Sequence, residues 1–195
     1  SLVGAVQAVA LVVCGIVEEG DGFVLVSDAA TRAPLFSRSA LSFDRAVRAM
    51  AVVRQGVFFG GTFQRTSGVR TNYVMGWEGG SPFALGFGMN GAVNALAEYR
   101  GSLVVVGSFT AAYRRLSSLA TATARATVVD APGIVAWDGQ DWQPVEGQNS
   151  PAGVMTAAVT WREILYVAGK FRNRLPTPDA NGVARYNGSH WTPMF

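Results

Sequence analysis

The chain has 195 residues, 15% of them charged and 49% hydrophobic, with 23 glycines, a net charge of +3 and an isoelectric point near 9.4. This composition can bury a large core and excludes a disordered chain, and the charge is too thinly spread to indicate nucleic acid. A lone cysteine, Cys14, excludes an internal disulfide framework.

Residues 1–17 are apolar, but Gln7 interrupts the run and Glu18-Glu19 ends it short of the roughly 20 residues of a membrane span. No basic segment precedes it, as a signal peptide would require. Gly4-Ala5-Val6-Gln7-Ala8-Val9-Ala10 matches Gly91-Ala92-Val93-Asn94-Ala95-Leu96-Ala97 at all but two positions. Residues 1–40 therefore read as a degenerate or partial copy of the unit that follows, beginning with a buried strand.

From residue 41 one phrase of about 48 residues comes three times. Its first half is an apolar run, a tight turn containing Arg or Gly, and a second apolar run closing on small residues and Phe. The copies are 47–53 with 57–63, 92–97 with 103–109, and 153–159 with 164–171. Its second half ends in an aromatic, an acid or amide, and Gly: Trp77-Glu78-Gly79, Trp137-Asp138-Gly139, Tyr186-Asn187-Gly188. A stretch bearing Pro82, Pro144 or Pro193 follows. From the closing Phe to the second aromatic is 14 residues in the first copy and 15 in the third, but 28 in the second, which places an inserted loop at 110–131. Its Ala-rich centre has the composition of a short helix.

Near-continuous apolar runs predict strands covered on both faces. Asp-Gly and Asn-Gly predict hairpin turns, because both residues tolerate positive φ. Proline cannot donate to a ladder and belongs on an edge strand. Four antiparallel strands per copy, graded from buried to Pro-bearing, predict an all-β protein of β-propeller blades. The division is 1–40 (partial), 41–91, 92–150 with the insertion, and 151–195 (cut short). Three or four blades make either a small four-bladed ring or part of a larger propeller, and a chain without a starting Met that stops within a phrase favours the larger propeller. Gly60-Gly61, Gly107-Ser108 and Ala168-Gly169 are expected where neighbouring blades approach closely. Phe63, Phe109, Phe171, Trp77, Trp137 and Tyr186 are expected in inter-blade packing.

The pattern V-x-A-[LM]-A, then [LV]-[YFV]-[VF]-G-G-x-F, then [IV]-A-x-W-D-G-x-x-W-x-P resembles the blade repeat of Kelch-like and galactose-oxidase-like propellers. It is most similar to the fungal cortical polarity-marker family and its relatives among large cell-surface proteins. The resemblance covers about 41–195, and Ile134-Val135-Ala136-Trp137-Asp138-Gly139-Gln140-Asp141-Trp142-Gln143-Pro144 carries it best. Val106-Gly107-Ser108 and Val167-Ala168-Gly169 depart from the double glycine, and Pro82 stands where the other copies have Trp142 and Trp191. The resemblance implies an extracellular or cell-surface recognition or structural module.

Catalytic constellations are not found. A copper-radical oxidase of the galactose-oxidase type needs paired His ligands and a Cys beside a Tyr, whereas His190 and Cys14 stand alone. Zinc clusters fail for the same reason, so no metal or cofactor is expected. His190 falls in a turn between Ser189 and Trp191, without a nucleophile to serve. Asp138 and Asp141 are the nearest carboxylate couple for glycoside chemistry. Asp138, however, takes the turn position that Glu78 and Asn187 fill elsewhere. The reading is a non-enzymatic module. The alternative is a propeller-type lyase or hydrolase whose catalytic residues lie outside these residues.

Loops joining the second and third strands emerge on one end of each blade and are basic. Arg65, Arg70, Arg114, Arg115, Arg125, Arg172 and Arg174 are the expected partner-binding residues, facing an acidic protein surface or an anionic polysaccharide. Asp138 and Asp141 are expected at the opposite end. The insertion is the first candidate contact, and other parts of the same propeller are expected partners. Asn187-Gly188-Ser189 is a glycosylation sequon on an exposed hairpin, consistent with an extracellular setting.

Overall fold

A computed structural model describes residues 41–54, 56–78, 81–115, 127–145, 147, 150–172 and 182–194, together with the backbone of a short antiparallel pair, β1 (Val12–Val13) and β2 (Leu25–Val26). The protein is all-β. Sheet I contains β3 (Val47–Val53), β4 (Gly56–Gly61), β7 (Val74–Glu78) and β8 (Ser81–Ala84). A small hairpin, β5 (Arg65–Thr66) and β6 (Val69–Arg70), lies between β4 and β7. Sheet II contains β9 (Val93–Tyr99), β10 (Ser102–Gly107), β13 (Ile134–Trp137) and β14 (Trp142–Gln143), with the hairpin β11 (Ala111–Arg114) and β12 (Thr127–Asp130) inserted at the same place. Sheet III contains β15 (Ala152–Trp161), β16 (Ile164–Arg172), β17 (Val183–Tyr186) and β18 (Trp191–Pro193). Each sheet is an antiparallel meander with its strands paired in chain order.

The insertion at 110–131 is thus a hairpin with ladder-paired arms, a longer version of β5–β6, rather than a plain loop. Its Ala-rich centre lies outside the described residues.

The sheets stack in chain order. Strands β3 and β4 pack on β9, and β9 and β10 pack on β15. Between sheets I and II lie Val53, Phe58, Val74, Val93, Leu96, Leu103, Val105 and Trp137; between II and III lie Ala97, Tyr99, Val104, Val106, Leu165, Val167 and Tyr186. Full burial of a Val or Leu side chain contributes roughly 1.5–3 kcal/mol, so these two interfaces dominate the stability of the stack. Phe63, Phe109, Phe171, Trp77, Trp137 and Tyr186 are all buried. Trp137 meets Trp142 edge-on, and Tyr186 stacks on Trp191. Pro82 occupies the matching position opposite Trp77, and there Phe83 packs edge-on to Phe58 instead. Coverage on both faces holds for β4 and β10 but not for β3, where Val52 is exposed, nor for β15, where one face is open: Val159 is 58% exposed and Trp161 57%.

The small-residue pairs have two causes, and only one is the approach of neighbouring sheets. Gly60 faces sheet II, where a Cβ would collide with the Val93 side chain. Gly61, Gly107 and Gly169 instead face the backbone of their own sheet, against Ala46, Ala92 and Val154. At that spot each first hairpin carries a β-bulge that extrudes one residue from the ladder: Arg48, Asn94 and Thr156. A bulge brings the opposed backbones together, and glycine admits the contact. The extruded residues then tie sheets to one another. Arg48 Nη1 donates to Asn94 Oδ1 at 2.8 Å, and Asn94 Nδ2 donates to the carbonyl of Met155 at 2.9 Å.

The other end of each first hairpin is a two-residue turn led by Arg54, Arg100 or Arg162, with φ of 55°, 50° and 48°. Gly101 and Glu163, the second turn residues at Arg100 and Arg162, also have positive φ, as a type I′ turn requires. Arg100 lies over the Tyr99 ring and donates to the carbonyl of Asn187 in sheet III at 2.8 Å. Arg54 lies against Gly101 and Gly139 of sheet II. Arginine is a poor choice for a left-handed backbone, so its reach into the next sheet explains its presence.

Two stability outcomes follow. Glu163 holds φ of 62°, and a left-handed backbone costs a residue with a Cβ about 1–2 kcal/mol, offset in part by glycine's greater entropy loss. Glu163→Gly is therefore expected to raise the unfolding free energy by about 0.5–1 kcal/mol, seen as a higher urea midpoint with an unchanged slope. Burial pushes the Tyr99 phenol above its ordinary pKa, Arg100 opposes this and Glu163 adds to it. The Tyr99 hydroxyl has no hydrogen-bond partner among the described residues. Tyr99→Phe should leave the thermal midpoint unchanged or raise it, whereas a loss of about 1 kcal/mol would reveal a partner for the hydroxyl.

Candidate functional site

Side chains just ahead of a sheet's first strand root the hairpin that follows its second. Asp44 Oδ1 accepts the N–H groups of Gln64 (2.8 Å) and Arg65 (3.0 Å). Asn90 Oδ1 accepts those of Thr110 (2.9 Å) and Ala111 (3.0 Å). Such bonds satisfy backbone donors that leave the ladder at a turn. The two hairpins are joined through residues 85–90: Asn72 Nδ2 donates to the Phe87 carbonyl at 2.7 Å, and the N–H of Tyr113 donates to the Gly88 carbonyl at 3.0 Å. They form one loop surface at the bulge end of sheets I and II.

Arg65 and Arg70 are exposed on this surface and sit directly opposite each other in the β5–β6 register. Each has only local support: Arg65 Nη1 donates to the Gly68 carbonyl at 3.2 Å and Arg70 Nε to Asn72 Oδ1 at 3.0 Å. Arg115 is exposed as well. Arg114 behaves differently. Its guanidinium donates to the Trp142 carbonyl at 2.8 and 2.7 Å and to Gln143 Oε1 at 3.1 Å, and its Nε lies 3.4 Å from Asp141 Oδ2. The inserted hairpin runs back beside β14, so Arg114 is engaged within the molecule, and the expected separation of basic and acidic ends does not hold at Arg114 and Asp141. Arg172 ends β16, with its side chain outside the described residues, and Arg125 and Arg174 lie outside them altogether. Asp44 is an acid on this face that the charge reading missed, and exposed Arg45 is a base it missed. Their signal was the fixed phase at which Asp44 and Asn90 precede β3 and β9.

At the opposite end, a cleft of about 180 Å³ opens between sheets I and II, lined by Phe58, Phe83, Leu103 and Trp137 together with Arg54 and Glu78. The turns between third and fourth strands lie at this end. Asp138 Oδ1 accepts the N–H groups of Gln140 and Asp141, both at 2.8 Å, and Oδ2 accepts Gln143 Nε2 at 2.9 Å. Asn187 Oδ1 repeats the arrangement with the N–H groups of Ser189 (3.0 Å) and His190 (2.9 Å), and also accepts the Ser189 hydroxyl at 3.1 Å. Asn187 is exposed. His190 Nδ1 lies 2.7 Å from Ser189 Oγ, a contact the sequence reading did not anticipate. Both residues are exposed on the turn, and no carboxylate orients the ring among the described residues. No group of three or more His, Cys, Asp or Glu side chains that could hold a metal ion occurs among the described residues. No helix there is long and apolar enough to cross a membrane.

Fold and surface define an all-β protein of stacked four-stranded antiparallel meanders carrying arginine-bearing hairpins at one end. No protein-family model matches the chain, and no curated protein matches it.

Burial raises the Asp138 carboxyl pKa, but the N–H donors of Asp141 and Gln140 and the Gln143 amide together outweigh it and hold the group below its ordinary value. A depressed carboxyl contributes stability above its unfolded pKa, about 4, and loses it as pH falls through the folded value. Asp138→Asn keeps the Oδ1 acceptor, as Asn187 shows, and should cost less than Asp138→Ala, which should lose about 1 kcal/mol at neutral pH. The advantage of wild type over Asp138→Asn should shrink between pH 5 and pH 3 in urea titrations.

Proposed function

We propose that this chain is part of a β-propeller with a structural or recognition role in a larger extracellular or cell-surface assembly, and that it binds an anionic polysaccharide through its hairpin face. The observation that carries this reading is the Arg65–Arg70 pair. Like charges directly opposite in a hairpin destabilise it by a few tenths of a kcal/mol to about 1 kcal/mol. Each guanidinium makes one local hydrogen bond, Arg65 to the Gly68 carbonyl and Arg70 to Asn72 Oδ1, and a partner's carboxylates or sulfates supply the charge compensation that these neutral acceptors do not. Arg115 extends the same surface, and Asp44 turns its Oδ1 to backbone donors. The propeller part of the reading is supported by three meanders of one strand order, stacked successively and joined at both ends. Asn187, exposed on its turn, is the proposed glycan attachment point.

Binding of this chain to an immobilised sulfated polysaccharide should weaken as salt rises from about 50 to about 300 mM, because the screening length falls through roughly 10 Å near 0.1 M. R65Q/R70Q should weaken binding by about tenfold, roughly 1.4 kcal/mol, while leaving stability unchanged or slightly raised. Binding that is insensitive to both salt and these substitutions would remove the basis of the reading. The intact mass of the native protein, set against 20.6 kDa, tests the assembly part separately.

A further inference from the structure

Sheet III presents the same face that sheets I and II use to receive a neighbour, and among the described residues nothing covers it. The register makes the correspondence explicit. The last residue before the arginine turn is Val53 in β3, Tyr99 in β9 and Trp161 in β15. Val53 is 6% exposed beneath sheet II and Tyr99 7% beneath sheet III, whereas Trp161 is 57% exposed. Two residues earlier, Ala51 and Ala97 pack into the two interfaces, while Val159 is 58% exposed. Val183 and Tyr166, on neighbouring strands, line the same face.

The fastenings repeat as well. Arg100 lies over Tyr99 and bonds the carbonyl of Asn187 in the next sheet. Arg162 lies over Trp161, its guanidinium carbon 4.4 Å from the ring centroid, and makes no hydrogen bond to any described residue. Its aromatic platform repeats the one that Tyr99 gives Arg100. The face also carries exposed Arg185, opposite Tyr166 where the covered sheets have Gly76 and Ala136, but its exposed Trp161, Val159 and Val183 make it more apolar than ordinary surface, as at a protein–protein contact.

Resting on the propeller reading above, we infer that this face docks a further four-stranded sheet of the same kind, supplied by native polypeptide outside these 195 residues. That sheet ends its third strand in an aromatic that packs on Trp161, and its Asx-Gly turn offers a backbone carbonyl to Arg162. The interface continues the one already made twice. A second copy of this chain is a poor occupant. The matching face of sheet I, with Phe59, Met75 and Trp77, is already buried, with Leu41 and Phe43 packed against it.

Tryptophan oxidation by N-bromosuccinimide, mapped by peptide mass, reads this directly, because Trp77, Trp137, Trp142 and Trp191 are buried and Trp161 is not. Trp161 should be the first ring oxidised in the 195-residue chain, and that oxidation should be lost in protein isolated from its natural source. A photo-crosslinker at position 161 of the native protein should capture a peptide containing an Asx-Gly turn. A native protein far heavier than 20.6 kDa in which Trp161 stays reactive would overturn this inference and leave the assembly reading standing. A native mass of 20.6 kDa would remove both. Protection already present in the isolated chain overturns the inference too. If it depends on concentration, a second copy is the occupant; if it does not, another part of this chain is.

Discussion

Face-to-face contact between successive sheets, fastened at both ends, is the constraint on which the rest of this structure depends. At one end the turn arginines reach across to the next sheet. At the other, residues pushed out by the bulges do the same, Arg48 to Asn94 and Asn94 to the Met155 carbonyl. Between these fastenings the contact is apolar and has no direction of its own. The polar contacts fix how far each sheet slides and turns on its neighbour, while burial supplies most of the energy. The bonds to Asn187 and Met155 fall on backbone carbonyls, which any sequence at those positions would offer.

This arrangement accounts for choices that look unfavourable one residue at a time. Arginine in a left-handed turn and a bulge in the ladder each weaken an isolated hairpin. Both become favourable once a second sheet lies alongside. Among the described residues no further sheet lies over sheet III, and there Trp161 and Arg162 carry the same costs without the return.

The same logic separates the two ends of the molecule. Turns at the arginine end are occupied with holding sheets together, and Asp138 and Asn187 there serve backbone geometry. Hairpins at the bulge end are rooted by Asp44 and Asn90 and differ in length and charge, and each buries one side against the body, through Thr66 in the first and Ala112 and Val129 in the second. Within that end Arg114 folds back onto Trp142 and Asp141, while Arg45, Arg65, Arg70 and Arg115 remain exposed.

Much of the strand plan was legible in the chain by itself. Apolar runs, Asx-Gly turns and edge prolines are local signals, because a strand's burial and a turn's φ values are set within a few residues. They located β3, β4, β7 and their counterparts, the insertion at 110–131, and the Pro-bearing edge strands of sheets I and III, whereas Pro144 falls just after β14. Tertiary structure decided what local signals cannot carry: that Gly60 answers to a neighbouring sheet while Gly61, Gly107 and Gly169 answer to a bulge in their own, that the insertion pairs into a hairpin, and that Arg114 turns inward. It also decided that Val53 and Tyr99 are covered while Trp161 is bare. All three close the same hairpin in the same way, and whether such a residue is buried depends on whether another sheet lies over it, which no spacing along the chain encodes.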